Sequence, residues 1–111
     1  MEITQEKKGN VNILKVKGRL DASTSGKLEE ALQEFTSKDK MRVLVDCQDL
    51  DYISSAGLRV LLAAAKEFQK RSGKIFLSAL NANVKQVFEI SGFTSIFPIY
   101  ETSEAAINDV S

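Results

Sequence analysis

Ser54 and Ser55 stand in the run Asp51-Tyr52-Ile53-Ser54-Ser55-Ala56-Gly57-Leu58-Arg59. A β-rich segment, Met41 to Asp46, precedes the run, and a helical segment, Ala56 to about Arg71, follows it. Two hydroxyls therefore lie where a strand hands over to a helix. Free backbone N–H groups and the positive end of the helix dipole favour negative charge at such a place. A serine there can cap the helix. It can also accept a phosphate that the helix end then stabilises.

Other reactive side chains are few. The chain has no histidine, which removes Ser-His-Asp and Cys-His catalysis and most zinc sites. Cys47 is the only cysteine, so no intramolecular disulfide can form, in keeping with a reducing compartment. Its setting, Val43-Leu44-Val45-Asp46-Cys47, reads as a small buried hydrophobe before it reads as a reactive thiol. Asp46, Asp49 and Asp51 cluster in sequence, but their spacing is not that of a calcium loop. A strand end and turn, where aspartate is favoured, accounts for them, and no metal site is expected. No paired acidic residues follow the first strand, as a receiver domain would require; Gly9-Asn10 stands there. Gly57 has no Gly-rich phosphate loop around it and no Lys-Ser/Thr pair after it. It reads instead as a place where another backbone or a partner approaches closely. No cofactor is expected.

The elements that must position these residues follow from hydrophobic spacing. Ile3 to Lys8 alternates weakly, Gly9-Asn10 is a turn signal, and Val11 to Lys17 carries Val11, Ile13, Leu14 and Val16. The pair predicts a β-hairpin. After Gly18-Arg19-Leu20, Asp21, Ser23 or Thr24 can cap a helix. That helix buries Leu28, Ala31, Leu32 and Phe35 on one stripe. Met41 to Cys47 is a mostly apolar run that suits a strand covered on both faces. In the next helix Leu58, Leu61, Leu62 and Ala65 make the core stripe, continued by Phe68 or Gln69, and Ser72-Gly73 ends it. Val60, Ala63 and Ala64 fall partly outside that stripe. They could dock a partner helix or be packed inside.

Lys74 to Leu80 predicts a further strand. Asn81 can cap a short helix with Val84, Val87, Phe88 and Ile90 facing inward. Ile96 to Tyr100 is a short strand, and its Pro98 points to an edge or a strand start. Thr102 or Ser103 can cap a last helix. The order β-β-α-β-α-β-α-β-α predicts an α/β fold with a mostly parallel sheet and an antiparallel hairpin partner. Leu28, Leu32, Val43, Val45, Leu58, Leu61, Leu62, Ile75, Leu77 and Phe88 are the expected core.

The chain has 111 residues, enough for one domain over 1–111. Fifteen basic and fifteen acidic side chains cancel, so no basic patch of nucleic-acid-binding scale is expected. The N-terminal residues lack the apolar stretch of a signal peptide. The apolar run Val60 to Ala65 is far short of the roughly 20 residues that span a bilayer. A cytoplasmic location without membrane insertion is the expectation.

In order and spacing the chain resembles the STAS domains, and within them the bacterial anti-sigma factor antagonists. Gly18-Arg19-Leu20-Asp21 with Thr24 and Leu28 is similar to the family's Gly-x-Leu-Asp-x-x-Thr-x-x-x-Leu stretch. Val43 to Leu50 resembles its central strand and Asp-Leu turn. Tyr52-Ile53-Ser54-Ser55-Ala56-Gly57-Leu58 resembles its phosphorylation loop, and Asn83 to Phe93 its Val-x-x-x-Phe-x-x-Ser-Gly segment. The resemblance implies a STAS-like mixed sheet of four or five strands flanked by about four helices. Aligned on Gly57-Leu58, it implies Ser55 as phosphoacceptor. Ser54 stands where the family's aspartate commonly stands and is a competing acceptor.

The implied function is partner switching by a non-enzymatic regulator. The unphosphorylated protein binds an anti-sigma factor that is also a serine kinase, and a sigma factor is freed. Phosphorylation separates the complex and a serine phosphatase resets it. Asp21, Thr24, Ser54, Ser55, Ala56, Gly57 and Arg59 are the implied partner-binding residues, with Asp21 also open to a helix-capping role. The alternatives are a STAS subunit of another complex, such as a lipid transporter or signalling module, and a small hydrolase or transferase using Ser55. The absence of histidine argues against the last.

Overall fold

Gly9 and Asn10 close the first hairpin. Lys8 faces Val11 across the turn, and Gly9 takes φ 62°, a left-handed conformation that a side chain would disfavour. The computed structural model describes residues 1–110. Its strands are β1 (Glu2–Lys8), β2 (Val11–Leu20), β3 (Arg42–Ile53), β4 (Lys74–Ser78) and β5 (Ile99–Tyr100). Its helices are α1 (Ser25–Ser37), α2 (Ser55–Lys70), α3 (Ala82–Ile90) and α4 (Ser103–Val110), with a 3-10 turn at Phe93–Ser95. The five strands lie side by side in chain order. β1 and β2 pair antiparallel, and β2 through β5 pair parallel. This is the mixed sheet with four helices that the sequence predicts.

Strand alternation divides the apolar residues between two layers. Leu14, Val16, Val43, Val45, Ile75 and Leu77 face the main core, where α1, α2 and α3 pack. Val11, Ile13, Leu44 and Phe76 face the opposite side, where Ala106 and Val110 of α4 cover them. The run Val43-Leu44-Val45 is continuously apolar because it is covered on both faces.

The central strand runs on where a turn is expected. β3 does not stop near Cys47 but continues to Ile53. Its register against β2 shifts twice, between Lys15 and Lys17 and between Gly18 and Arg19. Each shift inserts an extra residue into β3, as a bulge does. The extra residues return Leu50 and Ile53 to the main core. Broken alternation is why the aspartate-rich stretch resembles a turn in sequence. β2 likewise extends three residues past Lys17, to Leu20.

Other boundaries move for local reasons. β4 ends at Ser78, and Ala79 takes a left-handed φ of 60°. β5 is only Ile99–Tyr100, because Phe93 to Ser95 coil into the 3-10 turn and Phe97 is buried. β5 is an edge strand, and the Pro98 carbonyl accepts from the Leu77 N–H at 2.9 Å. After α2 the left-handed residue is Ser72, φ 61°, and not Gly73. Gly73 answers a different need: a Cβ there would lie 2.6 Å from the Met41 carbonyl oxygen.

Nine of the ten expected core residues are buried. Leu62 is the exception and is half-buried. α2 turns its stripe through Leu58, Leu61 and fully buried Phe68, which leaves Leu62 at the flank and Gln69 exposed. Ile90, expected to face inward, is 78% exposed. It ends α3, one turn past Val87 and two residues past Phe88, on the far side of that short helix.

Candidate functional site

The parallel pairing of β2 and β3 brings two distant segments to one edge of the sheet. Arg19 pairs with Tyr52 and Leu20 with Ile53. The next backbone contact continues the ladder: the Ser54 N–H donates to the Leu20 carbonyl at 2.9 Å. Asp21 and Ser54 are therefore the residues that leave these two strands side by side.

Ser54 is the N-cap of α2, extended at φ −99° and ψ 175°. Its hydroxyl accepts from the Gly57 N–H at a long 3.4 Å, and its carbonyl accepts from the Leu58 N–H at 3.0 Å. The helix thus starts one residue earlier than its apolar stripe indicates, and Ser55 is its first residue. Ser55 is exposed, and its hydroxyl has no hydrogen-bond partner among the described residues. The N–H groups of Ser55 and Ala56 are also unpaired there, as first-turn amides are. No acidic residue occupies the first turn of α2. The end of the helix dipole is left uncompensated beside an exposed hydroxyl.

Gly57 is buried. A Cβ at this position would lie 2.6 Å from Leu20 Cγ and 3.1 Å from Ile53 Cγ1. The close approach that its sequence setting suggests is therefore internal, between the first turn of α2 and the end of β2. Ala56 is half-buried beside it, and Arg59 is exposed one turn further on. Arg59 joins none of the ion pairs among the described residues.

Asp21 does not cap α1. The N-cap is Thr24, which makes no side-chain capping bond. The Asp21 carboxylate instead accepts from the Ser23 hydroxyl at 2.7 Å and the Ser23 N–H at 3.0 Å. The Ser23 hydroxyl above all holds its carboxyl below the usual range, against a smaller opposing effect of burial. Thr24 ties the turn to the sheet. Its hydroxyl donates to the Arg19 carbonyl at 2.7 Å and accepts from the Asp21 N–H at 2.9 Å.

Two further residues complete this edge and are not singled out by the sequence. The Arg19 guanidinium lies 4.2 Å from the centroid of the Tyr52 ring, a cation–π contact, and 3.9 Å from the Asp21 carboxylate. Tyr52 is 41% exposed. Only the register Arg19 to Tyr52 could have signalled the pair.

Cys47 is buried, and burial, then the neighbouring Asp46 carboxylate, push its thiol up to about 12. It stays protonated and unreactive at neutral pH. Asp46 is also buried, with its carboxylate accepting from the Gln48 N–H at 3.0 Å, whereas Asp49 and Asp51 are exposed along β3. Val60 and Ala64 are half-buried and Ala63 is exposed. They line a shallow groove of about 220 Å³ between α1 and α2.

The sequence model of the STAS domain matches residues 2–106. BtrV of Bordetella bronchiseptica, provisionally named an anti-sigma factor antagonist, is 42% identical over 106 residues, covering 96% of this chain and 91% of BtrV. The anti-sigma-B factor antagonist of Listeria monocytogenes is 30% identical over 99 residues, covering 89% of this chain and 86% of that protein. The solved structure of SpoIIAA of Bacillus in its phosphorylated form superposes with a TM-score of 0.79 at 18% identity, covering 99% of this chain and 100% of that one. The chain belongs to the STAS domain family and, within it, to the anti-sigma factor antagonists.

Proposed function

We propose that residues 1–111 act as one cytoplasmic binding module that captures an anti-sigma factor and thereby frees a sigma factor. The anti-sigma factor is also a serine kinase. It transfers phosphate to Ser55, the complex separates, and a serine phosphatase restores the binding form. The chain performs no catalysis in this scheme; ATP and magnesium belong to the kinase. No described helix is long and apolar enough to cross a membrane.

One observation carries the assignment of the acceptor. Ser55 is exposed at the first position of α2 with its hydroxyl unbonded among the described residues, while Ser54 is half-buried and commits its hydroxyl to the helix cap. A kinase can reach Ser55 without undoing the helix start. Asp21, Thr24, Ser54, Ser55, Ala56 and Arg59 form the partner surface, and buried Gly57 supports it from beneath. Arg19 and Tyr52 extend the same edge. Phosphate adds roughly 1.5 to 2 negative charges, and burying that charge unpaired at a fitted interface is costly. SpoIIAA, which shares this fold, has been solved in a phosphorylated form, and that supports the same chemistry here.

Kinase incubation followed by phosphopeptide mapping tests the acceptor. The expected result is phosphate on Ser55 in the wild type and in Ser54→Ala, and none in Ser55→Ala. Phosphate on Ser54 alone overturns the assignment.

A further inference from the structure

The exposed side chains at the start of α2 carry an asymmetry. Ser55 is the first residue of the helix and Arg59 lies four residues on. Residues so spaced share a helix face, with Cβ atoms about 6 Å apart. Both are exposed. Arg59 has no ion-pair partner among the described residues, whereas Arg19, the other arginine near this edge, is already held on the Tyr52 ring beside Asp21. The Ser55 and Ala56 N–H groups, unpaired among the described residues, mark the same spot as favourable for anionic oxygen.

We propose that Arg59 is the internal counter-ion of phosphorylated Ser55, so that phosphorylation withdraws a cation from the partner surface as well as adding an anion to it. The order, acidic group first and basic group four residues later, is the favourable one along the helix dipole. The guanidinium fork can meet two phosphate oxygens at once. In the unphosphorylated chain Arg59 is free to engage an acidic group of the partner. In the phosphorylated chain it folds back one turn. The two changes act in the same direction on binding. This inference rests on the reading of Ser55 as the acceptor.

The test separates the two. Phosphoserine is installed at position 55 during synthesis of the full chain, so no kinase is needed, and the phosphate is titrated by phosphorus NMR at low salt. Its second ionisation ordinarily falls near pH 6. Arg59→Gln is expected to raise that pKa by about 0.2–0.4 units relative to the wild-type chain. Arg59→Lys should keep most of the lowering, and Arg19→Gln should leave it in place. The difference should fade in high salt, as an exposed pair requires. A titration that Arg59→Gln leaves unmoved overturns the counter-ion, as does one that Arg19→Gln moves and Arg59→Gln does not. Failure of a kinase to modify Ser55 would instead fall on the acceptor assignment and leave this titration standing.

Discussion

Gly57→Ala should destabilise the chain even though alanine is the better helix former. The added Cβ would sit 2.6 Å from Leu20 Cγ, 2.9 Å from Leu20 Cδ2 and 3.1 Å from Ile53 Cγ1. Leu20 is 1% exposed and Ile53 3%, so neither can move into solvent. Forcing a methyl into such a contact costs about 1–3 kcal/mol. The helical preference of alanine over glycine returns up to about 1 kcal/mol. The deep overlap with Leu20 puts the net loss near 1–2 kcal/mol, a fall in melting temperature of about 4–8 °C for a domain of this size. Urea denaturation of the single variants and the pair supplies the decisive comparison. Leu20→Ala alone should cost about 2–5 kcal/mol through its cavity. In that background Gly57→Ala should become neutral or stabilising, because the colliding side chain is gone. Equal effects of Gly57→Ala in both backgrounds, or a stabilised single variant, would refute the packing argument.

The two adjacent leucines of α2 should separate by burial. Leu61→Ala should lose about 2–5 kcal/mol and half-buried Leu62→Ala clearly less, as chemical denaturation will register; equal losses would mean the helix is rotated from the orientation described. Asp21 should leave an acid-range signature. Its folded pKa lies below the ordinary aspartate value, chiefly through the Ser23 hydroxyl, so its contribution to stability is complete above that ordinary value and drains away as pH falls through the lowered folded pKa. Stability curves of wild type and Asp21→Asn should therefore converge toward acid, and a constant gap down to the lowest pH would argue against the Ser23 contacts as its cause.

Much of the fold is legible in the sequence because its signals are local. The hairpin rests on Gly9-Asn10, the α1 stripe on Leu28, Ala31, Leu32 and Phe35, and the α3 cap on Asn81, whose side-chain amide oxygen Oδ1 accepts from the Val84 N–H at 2.8 Å. The signals that fail are those set by partners far along the chain. β3 reads as ending near Cys47 because its bulges break the alternation, and only pairing with β2 shows why it continues. The order of Ser54 and Ser55 at the helix start is legible, but their division of labour is not. It depends on the Leu20 carbonyl fixing Ser54 in an extended conformation, thirty-four positions away in sequence. Arg19 and Tyr52 are illegible for the same reason: an arginine and a tyrosine in separate segments become neighbours only through strand register. Gly57 is legible as a close approach, but not the identity of what approaches, which is the chain's own Leu20.

The most direct test of the proposed switch is the affinity of the chain for its anti-sigma factor, measured by calorimetry on unmodified protein and on protein carrying phosphate at Ser55. The expected result is a stable complex with the unmodified chain and a loss of at least about 100-fold on phosphorylation, equivalent to ~2.7 kcal/mol. Equal affinities for the two forms would contradict the account.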